Sequence, residues 1–134
     1  MLRITRLTDY GFILLAHIAI SDHKKLYNAK DLSDELDIPL PTVSKVLKHL
    51  AKGELLVSHQ GSQGGYCLSK NPSFISVADI IEVLEGPVSL TACCIEDGCS
   101  KNCSLSSSWQ TVNNVIIEKL KSISLVDMAE GVLV

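Results

Sequence analysis

Between residues 28 and 53 the sequence carries two helical patterns around one forced break, and this most restricts the fold. Asn28 can cap a helix over Ala29 to Leu36, with Leu32 and Leu36 turned inward. Asp37-Ile38-Pro39 ends it, because proline lacks a backbone donor and holds the residue before it out of the helical region. A further helix runs from about Leu40 or Pro41 to Lys52. Pro41 suits its first turn, where no intrahelical N–H is lost, and Gly53 is a natural stop. Val43, Val46, Leu47 and Leu50 form its buried stripe. Leu55 to His59 and Tyr66 to Ser69 then read as short strands, joined by Gln60-Gly61-Ser62-Gln63-Gly64-Gly65, a tight glycine-rich turn. Two short helices, a turn and a glycine-rich hairpin describe a winged helix-turn-helix.

The flanks extend this unit. A helix is expected over 9–20, with Tyr10, Ile13, Leu14, Ile18 and Ala19 near helical spacing, Thr8 as its cap and Asp9 in its first turn. Ser21 to Tyr27 reads as a polar connection. Ser76 caps a helix from Val77 to Leu84, ended by Glu85-Gly86-Pro87. Residues 89–103 hold cysteines and little periodicity, as in a loop that needs a ligand to order it. From Leu105 to Ile123 a long helix returns. Leu105, Trp109, Val112, Ile116, Leu120 and Ile123 form a near-heptad seam along about 28 Å of helix. One strong apolar stripe on a long helix needs a partner, and a second copy is the simplest. The expected class is mainly α, a winged helix-turn-helix with a small β-hairpin wing and a long C-terminal dimerisation helix. The expected division is 1–86 for DNA binding, 87–104 for the cysteine-rich loop, and 105–134 for the dimerisation helix and tail.

Composition removes several classes. Apolar types make up 46% of the 134 residues and charged types 20%, a balance that folds. The longest apolar stretch, Phe12 to Ile20, is too short to span a bilayer and lacks the flanks of a secretory signal, so a cytoplasmic protein is expected. Few aromatic residues argue against a carbohydrate binder. The four histidines (17, 23, 49 and 59) are scattered, and neither a phosphate loop nor a nucleophile elbow is present, so no enzyme is expected. His17 reads as a residue at the edge of the core. The net charge of −3 is unevenly spread: residues 38–70 hold four lysines against Glu54 alone. A locally basic segment in an acidic chain permits DNA contact through one face.

The inward stripe of the helix after the turn leaves Thr42, Ser44, Lys45, Lys48, His49 and Lys52 outside. Thr42, Ser44 and Lys45 lie near its N-terminus, the part that reaches base edges in the major groove, while Lys48 and Lys52 suit phosphates. The wing tip from Gln60 through Ser62 to Gln63 is placed for the minor groove. Cys93, Cys94, Cys99 and Cys103 crowd into eleven residues. In a reducing compartment such crowding points to a metal or redox site rather than a disulfide framework. Three thiols on one loop can converge on one centre, with Cys94 as the spare because neighbouring side chains rarely face one cluster. The spacing fits neither a zinc finger nor a ferredoxin run, and leaves an iron–sulfur cluster, a zinc site and a thiol switch open. Cys67, in a strand, reads as a small packed side chain.

Several stretches resemble the Rrf-two family of bacterial winged-helix regulators. They are Leu2 to Tyr10, Ile38 to Leu47, Gly61 to Tyr66, Ser76 to Ile81, Glu85-Gly86-Pro87, Leu90 to Cys93, and Cys103-Ser104-Leu105 with Trp109 following. Together they look like the branch that regulates the SUF iron–sulfur assembly system. The resemblance covers essentially the whole chain. It implies a homodimeric transcription factor, usually a repressor, that binds double-stranded operator DNA and holds an iron–sulfur cluster, 2Fe-2S or 4Fe-4S, through Cys93, Cys99 and Cys103. In some members an acidic residue of the partner subunit's N-terminal helix is the fourth ligand, and Asp9 occupies that position here. Two departures stand out. The spacing from Cys99 to Cys103 is shorter than in the best-known cluster-binding relatives, and Gln60 stands where many relatives carry arginine. The alternatives are a nitric-oxide- or redox-responsive regulator of the same family, and a zinc-stabilised interaction module without an operator.

Overall fold

The computed structural model describes residues 3–21, 25–91, 94 and 104–131. In chain order the elements are α1 (Arg6–Ile20), α2 (Ala29–Leu36), α3 (Leu40–Lys52), β1 (Leu56–His59), β2 (Gly65–Leu68), α4 (Val77–Glu85), α5 (Ser106–Ser122) and α6 (Leu125–Glu130), with a 3-10 turn at Pro72–Phe74. The winged helix-turn-helix is present as expected.

Side-chain caps set most helix starts. Asn28 Oδ1 accepts the Asp31 N–H at 2.8 Å. Ser76 and Asp79 form a reciprocal capping box, each side chain accepting the other's backbone N–H at 3.0 Å. α1 begins at Arg6 rather than at residue 9. Its cap is Thr5, which accepts the Thr8 N–H at 3.2 Å, and Thr8 itself is buried inside the helix. Asp37 ends α2 in a left-handed conformation (φ 54°, ψ 47°), which a short polar side chain tolerates, and the Ile38 N–H returns to Ser33 O at 3.2 Å. α3 then packs against α2.

One core lies beneath these elements. Leu14, Leu15 and Ile18 of α1 meet Leu32, then Val43, Val46, Leu47 and Leu50 of α3, then Leu56, Leu68, Ile75 and Ile80. The stripe on α3 is the expected one. That on α1 is not: Gly11, Leu14, Leu15 and Ile18 are buried and Ile13 is exposed. Phe12 to Ile20 is apolar on nearly every side, so spacing alone selects no face. Gly53 does end α3, but with φ −82°, and the left-handed residue is Glu54 (φ 65°). Glycine is needed at 53 for room, since a Cβ there would lie 2.4 Å from Val83 Cγ1 on α4.

The hairpin pairs Leu56 with Leu68, Val57 with Cys67, Ser58 with Tyr66 and His59 with Gly65. Tyr27, expected in a polar connection, is buried and forms a bridge with Tyr66, their N–H groups bonding each other's carbonyls at 2.8 and 2.7 Å. A one-residue bridge has no alternation to betray it. Gly65 permits it, because a Cβ there would meet Tyr27 O at 2.7 Å.

Beyond α5 the described residues return to α1 and the core. After α5 the chain pairs Ser124 with Ser76, with bonds from Val77 N–H to Ile123 O (2.9 Å) and from Leu125 N–H to Ile75 O (2.8 Å). α6 then lies against α1, and Leu125 enters the core. Six residues are too few for periodicity to register. The signal that could have found α6 is its capping box, Ser124 with Asp127. Among the described residues no helix is long and apolar enough to cross a membrane.

Candidate functional site

Burying Val43, Val46, Leu47 and Leu50 forces the other side of α3 outward. Lys45, Lys48, His49 and Lys52 are exposed there, with Thr42 and Ser44 half-buried near the start of the helix. Pro39 offers no side-chain cap, and the first turn of α3 holds no acid. The amide groups at this end therefore carry the positive end of the helix dipole without a local carboxylate to offset it.

Gln60, Ser62 and Gln63 are exposed at the wing tip, where the Gly64 N–H closes onto Gly61 O at 3.0 Å. Leu56 and Leu68 face inward, so Val57, His59 and Cys67 share the outer face of the wing. Cys67 is thus not enclosed as expected: it is half-buried, with Sγ 3.7 Å from His59 Nε2. Strand alternation was a fair guide, but Tyr66, not Cys67, takes the inward side. His17 sits at the core edge as expected. Its Nε2 lies 2.7 Å from Glu35 Oε2 and its ring meets Tyr27 edge-on, tying α1 to α2.

Asp9 is exposed in the first turns of α1. It lines a groove of about 870 Å³ together with Arg3, Arg6, Phe12, Ile81 and Leu120, between the start of α1 and the packed ends of α4 and α5. Cys93, Cys99 and Cys103 lie outside the described residues. Among the described residues no group of three or more His, Cys, Asp or Glu converges on a metal-sized site. Three thiols and a carboxylate are nevertheless a donor set suited to an iron–sulfur centre by chemical type.

Cys94 is engaged otherwise. Its N–H bonds Thr91 O at 3.0 Å, its Sγ lies 3.5 Å from Thr91 Oγ1, and its thiol points at Trp109 O at 3.7 Å. Asn113, on α5, is only 4% exposed. Its Oδ1 accepts the Leu90 N–H at 2.9 Å and its Nδ2 donates to Val88 O at 3.0 Å. Sequence reasoning missed this residue, because it stands off the apolar seam beside a second asparagine and nothing local marks it. The seam itself is bare at its first half: Leu105 is 56% exposed, Trp109 42% and Val112 44%. Ile116, Leu120 and Ile123 are half-buried.

The sequence profile of the Rrf2 (Rrf-two) family, described as iron-dependent transcriptional regulators, matches residues 4–131. The HTH-type transcriptional regulator IscR of Photorhabdus laumondii is 28% identical over 132 residues, covering 97% of this chain and 80% of the relative. The structure of CymR, the global cysteine regulator of B. subtilis, superimposes with a TM-score of 0.78 at 26% identity, over 97% of this chain and 98% of that one. T. potens IscR gives a TM-score of 0.73 at 28% identity, over 98% of this chain and 88% of that one.

Proposed function

We propose, since the chain belongs to the Rrf2 family of DNA-binding transcriptional regulators, that it is a homodimeric repressor of iron–sulfur assembly genes governed by a cysteine-held iron–sulfur cluster. The observation that carries this is the place of the cysteines in the chain. They follow α4, which packs into the core of the winged helix, and precede α5, whose apolar seam is half bare. A sensor spliced there is joined in the chain to both the DNA-binding head and the pairing element. The family's description as iron-dependent supports the same assignment.

In this reading residues 1–86 form the DNA-binding head, 87–104 the cluster segment and 105–134 the pairing segment, whose last helix returns to the head. Thr42, Ser44 and Lys45 meet base edges in the major groove, and Lys48, His49 and Lys52 meet phosphate oxygens. Gln60 and Ser62 enter the minor groove with hydrogen-bonding groups but no charge, so the wing attracts a narrow A·T groove less than an arginine would. Leu105, Trp109 and Val112 pair with the same residues of a second copy, removing apolar surface from water. Pairing sets the distance between two α3 helices, which must match half-sites roughly 34 Å apart.

Cys93, Cys99 and Cys103 would hold the cluster as thiolates, with Asp9 of the other copy as fourth donor. When bound, the cluster supplies a rigid link among those side chains. The three thiols must shed their protons to ligate. Their spacing along the loop, together with the reach of Asp9, then restricts how the loop sits on the dimer and how far apart the heads stand. Anaerobic purification with visible absorption and iron and sulfide analysis tests this. The expected outcome is a coloured protein. Cys99→Ala should lose colour and iron together and shift operator affinity by about tenfold or more. A colourless, iron-free protein whose operator binding is the same with and without Cys99 sinks the cluster assignment.

A further inference from the structure

Val88, Leu90 and Cys94 are strapped to α5 at two points. Asn113 accepts the Leu90 N–H at 2.9 Å and donates to the Val88 carbonyl at 3.0 Å, and the Trp109 carbonyl accepts from the Cys94 thiol at 3.7 Å. Trp109 and Asn113 stand four residues apart, so the Trp109 carbonyl and the Asn113 side chain lie near one another on α5. Both ends of the Asn113 amide are used, and both partners are backbone groups of residues 88–90, which lie outside any helix or strand. A buried amide with matched partners is a strong local constraint, since losing it leaves a donor and an acceptor unpaired out of water.

From this geometry we infer that Asn113 is a positioning residue: it fixes where the cysteine-bearing segment leaves the face of α5. Leu90 precedes Cys93 by three residues in the sequence and Cys94 follows it directly, so residues on both sides of Cys93 in the sequence are fastened to α5. Cys94 belongs to the strap. Its Sγ is already turned to the Trp109 carbonyl and the Thr91 hydroxyl. The strap also fastens to α5 beside Trp109 and Val112, two exposed residues of the seam. Asn113 therefore connects the placement of the first thiol to the helix that pairs two copies. As far as it concerns a cluster, this inference rests on the proposed function. The strap stands on the hydrogen bonds alone.

Amide hydrogen exchange on the full-length protein tests the strap. In Asn113→Leu, which keeps the size of the side chain and removes both bonds, the Leu90 amide should exchange about tenfold faster or more, while the Ile80 and Leu125 amides keep their protection. Asn113→Asp, which keeps the acceptor for Leu90 and loses the donor to Val88, should fall between Asn113→Leu and the unaltered protein and guards against a misfolded leucine variant. In anaerobically loaded protein, Asn113→Leu should lower iron per chain by about tenfold at limiting iron and alter the visible circular dichroism of what remains. Cys94→Ser should keep full iron. Unchanged Leu90 exchange in both Asn113 variants overturns the strap. Full iron with an unaltered spectrum in Asn113→Leu, or loss of iron in Cys94→Ser to the level of Cys99→Ala, overturns the positioning role. If the unaltered protein holds no iron, the cluster assignment fails, and the exchange result still decides the strap.

Discussion

α3 and α5 carry the same kind of apolar stripe and meet opposite fates. On α3, Val43, Val46, Leu47 and Leu50 are wholly enclosed by α1, α2, α4 and the wing. On α5 and its cap residue, Leu105, Trp109 and Val112 face solvent in the single chain, although the helix is longer and its spacing as regular. The difference lies in what surrounds each helix. α3 has neighbours on several sides within its own chain. α5 leans on α4 and receives the strap on one side, and among the described residues none covers the seam from Leu105 to Val112. Periodicity states that a face is to be buried. It does not state by which chain.

This contrast can be broken from either side. The largest effect belongs to the closed stripe. Leu47→Ala opens a cavity in a core that cannot collapse around it, and should cost about 3 kcal/mol of stability in urea unfolding. A loss below about 1 kcal/mol would mean that α3 is less tightly enclosed than its burial shows. Next comes the open stripe. Val112→Glu adds a charge to the bare seam, so the chain should still fold with nearly unchanged stability per monomer. Its dimer dissociation constant should rise about a hundredfold, read by sedimentation, because a buried unpaired charge is heavily penalised at an interface. If the variant and the unaltered protein sediment alike, the seam is not the pairing surface. The smallest effect is on the outer side of α3. Lys48→Ala should weaken operator binding roughly uniformly across sequences and reduce the slope of log affinity against log salt by about 1. A change confined to one operator position would make Lys48 a base contact instead.

Legibility followed the range of the interaction. The helix-turn-helix was readable because each of its parts is signed by nearby residues: the Asn28 cap, the Asp37-Ile38-Pro39 break, the Pro41 start and the stripe after it. The same holds for the Ser76 cap of α4. Errors arose where local signals were uniform or too short. α1 is apolar all round, so its buried face was misassigned at Ile13. Tyr27 contributes a single bridge residue, and α6 has six residues. Within the candidate site, the exposed residues of α3 followed from its buried stripe. Asn113 did not, because its partners Val88 and Leu90 lie 25 and 23 residues away, and no local pattern encodes that distance.

Residue order alone was enough to specify the helices with their caps, the glycine-rich wing, and the crowding of thiols ahead of a helix with one apolar seam. These are matters of neighbouring residues competing for the same few backbone hydrogen bonds. Only the packed chain decided which face of α1 turns inward, that Tyr27 closes the wing, that the last helix returns to α1, and that Asn113 fastens the cysteine-bearing segment to α5. Each of those depends on groups far apart in sequence that must share one volume, and burial is settled by that shared volume rather than by any one segment.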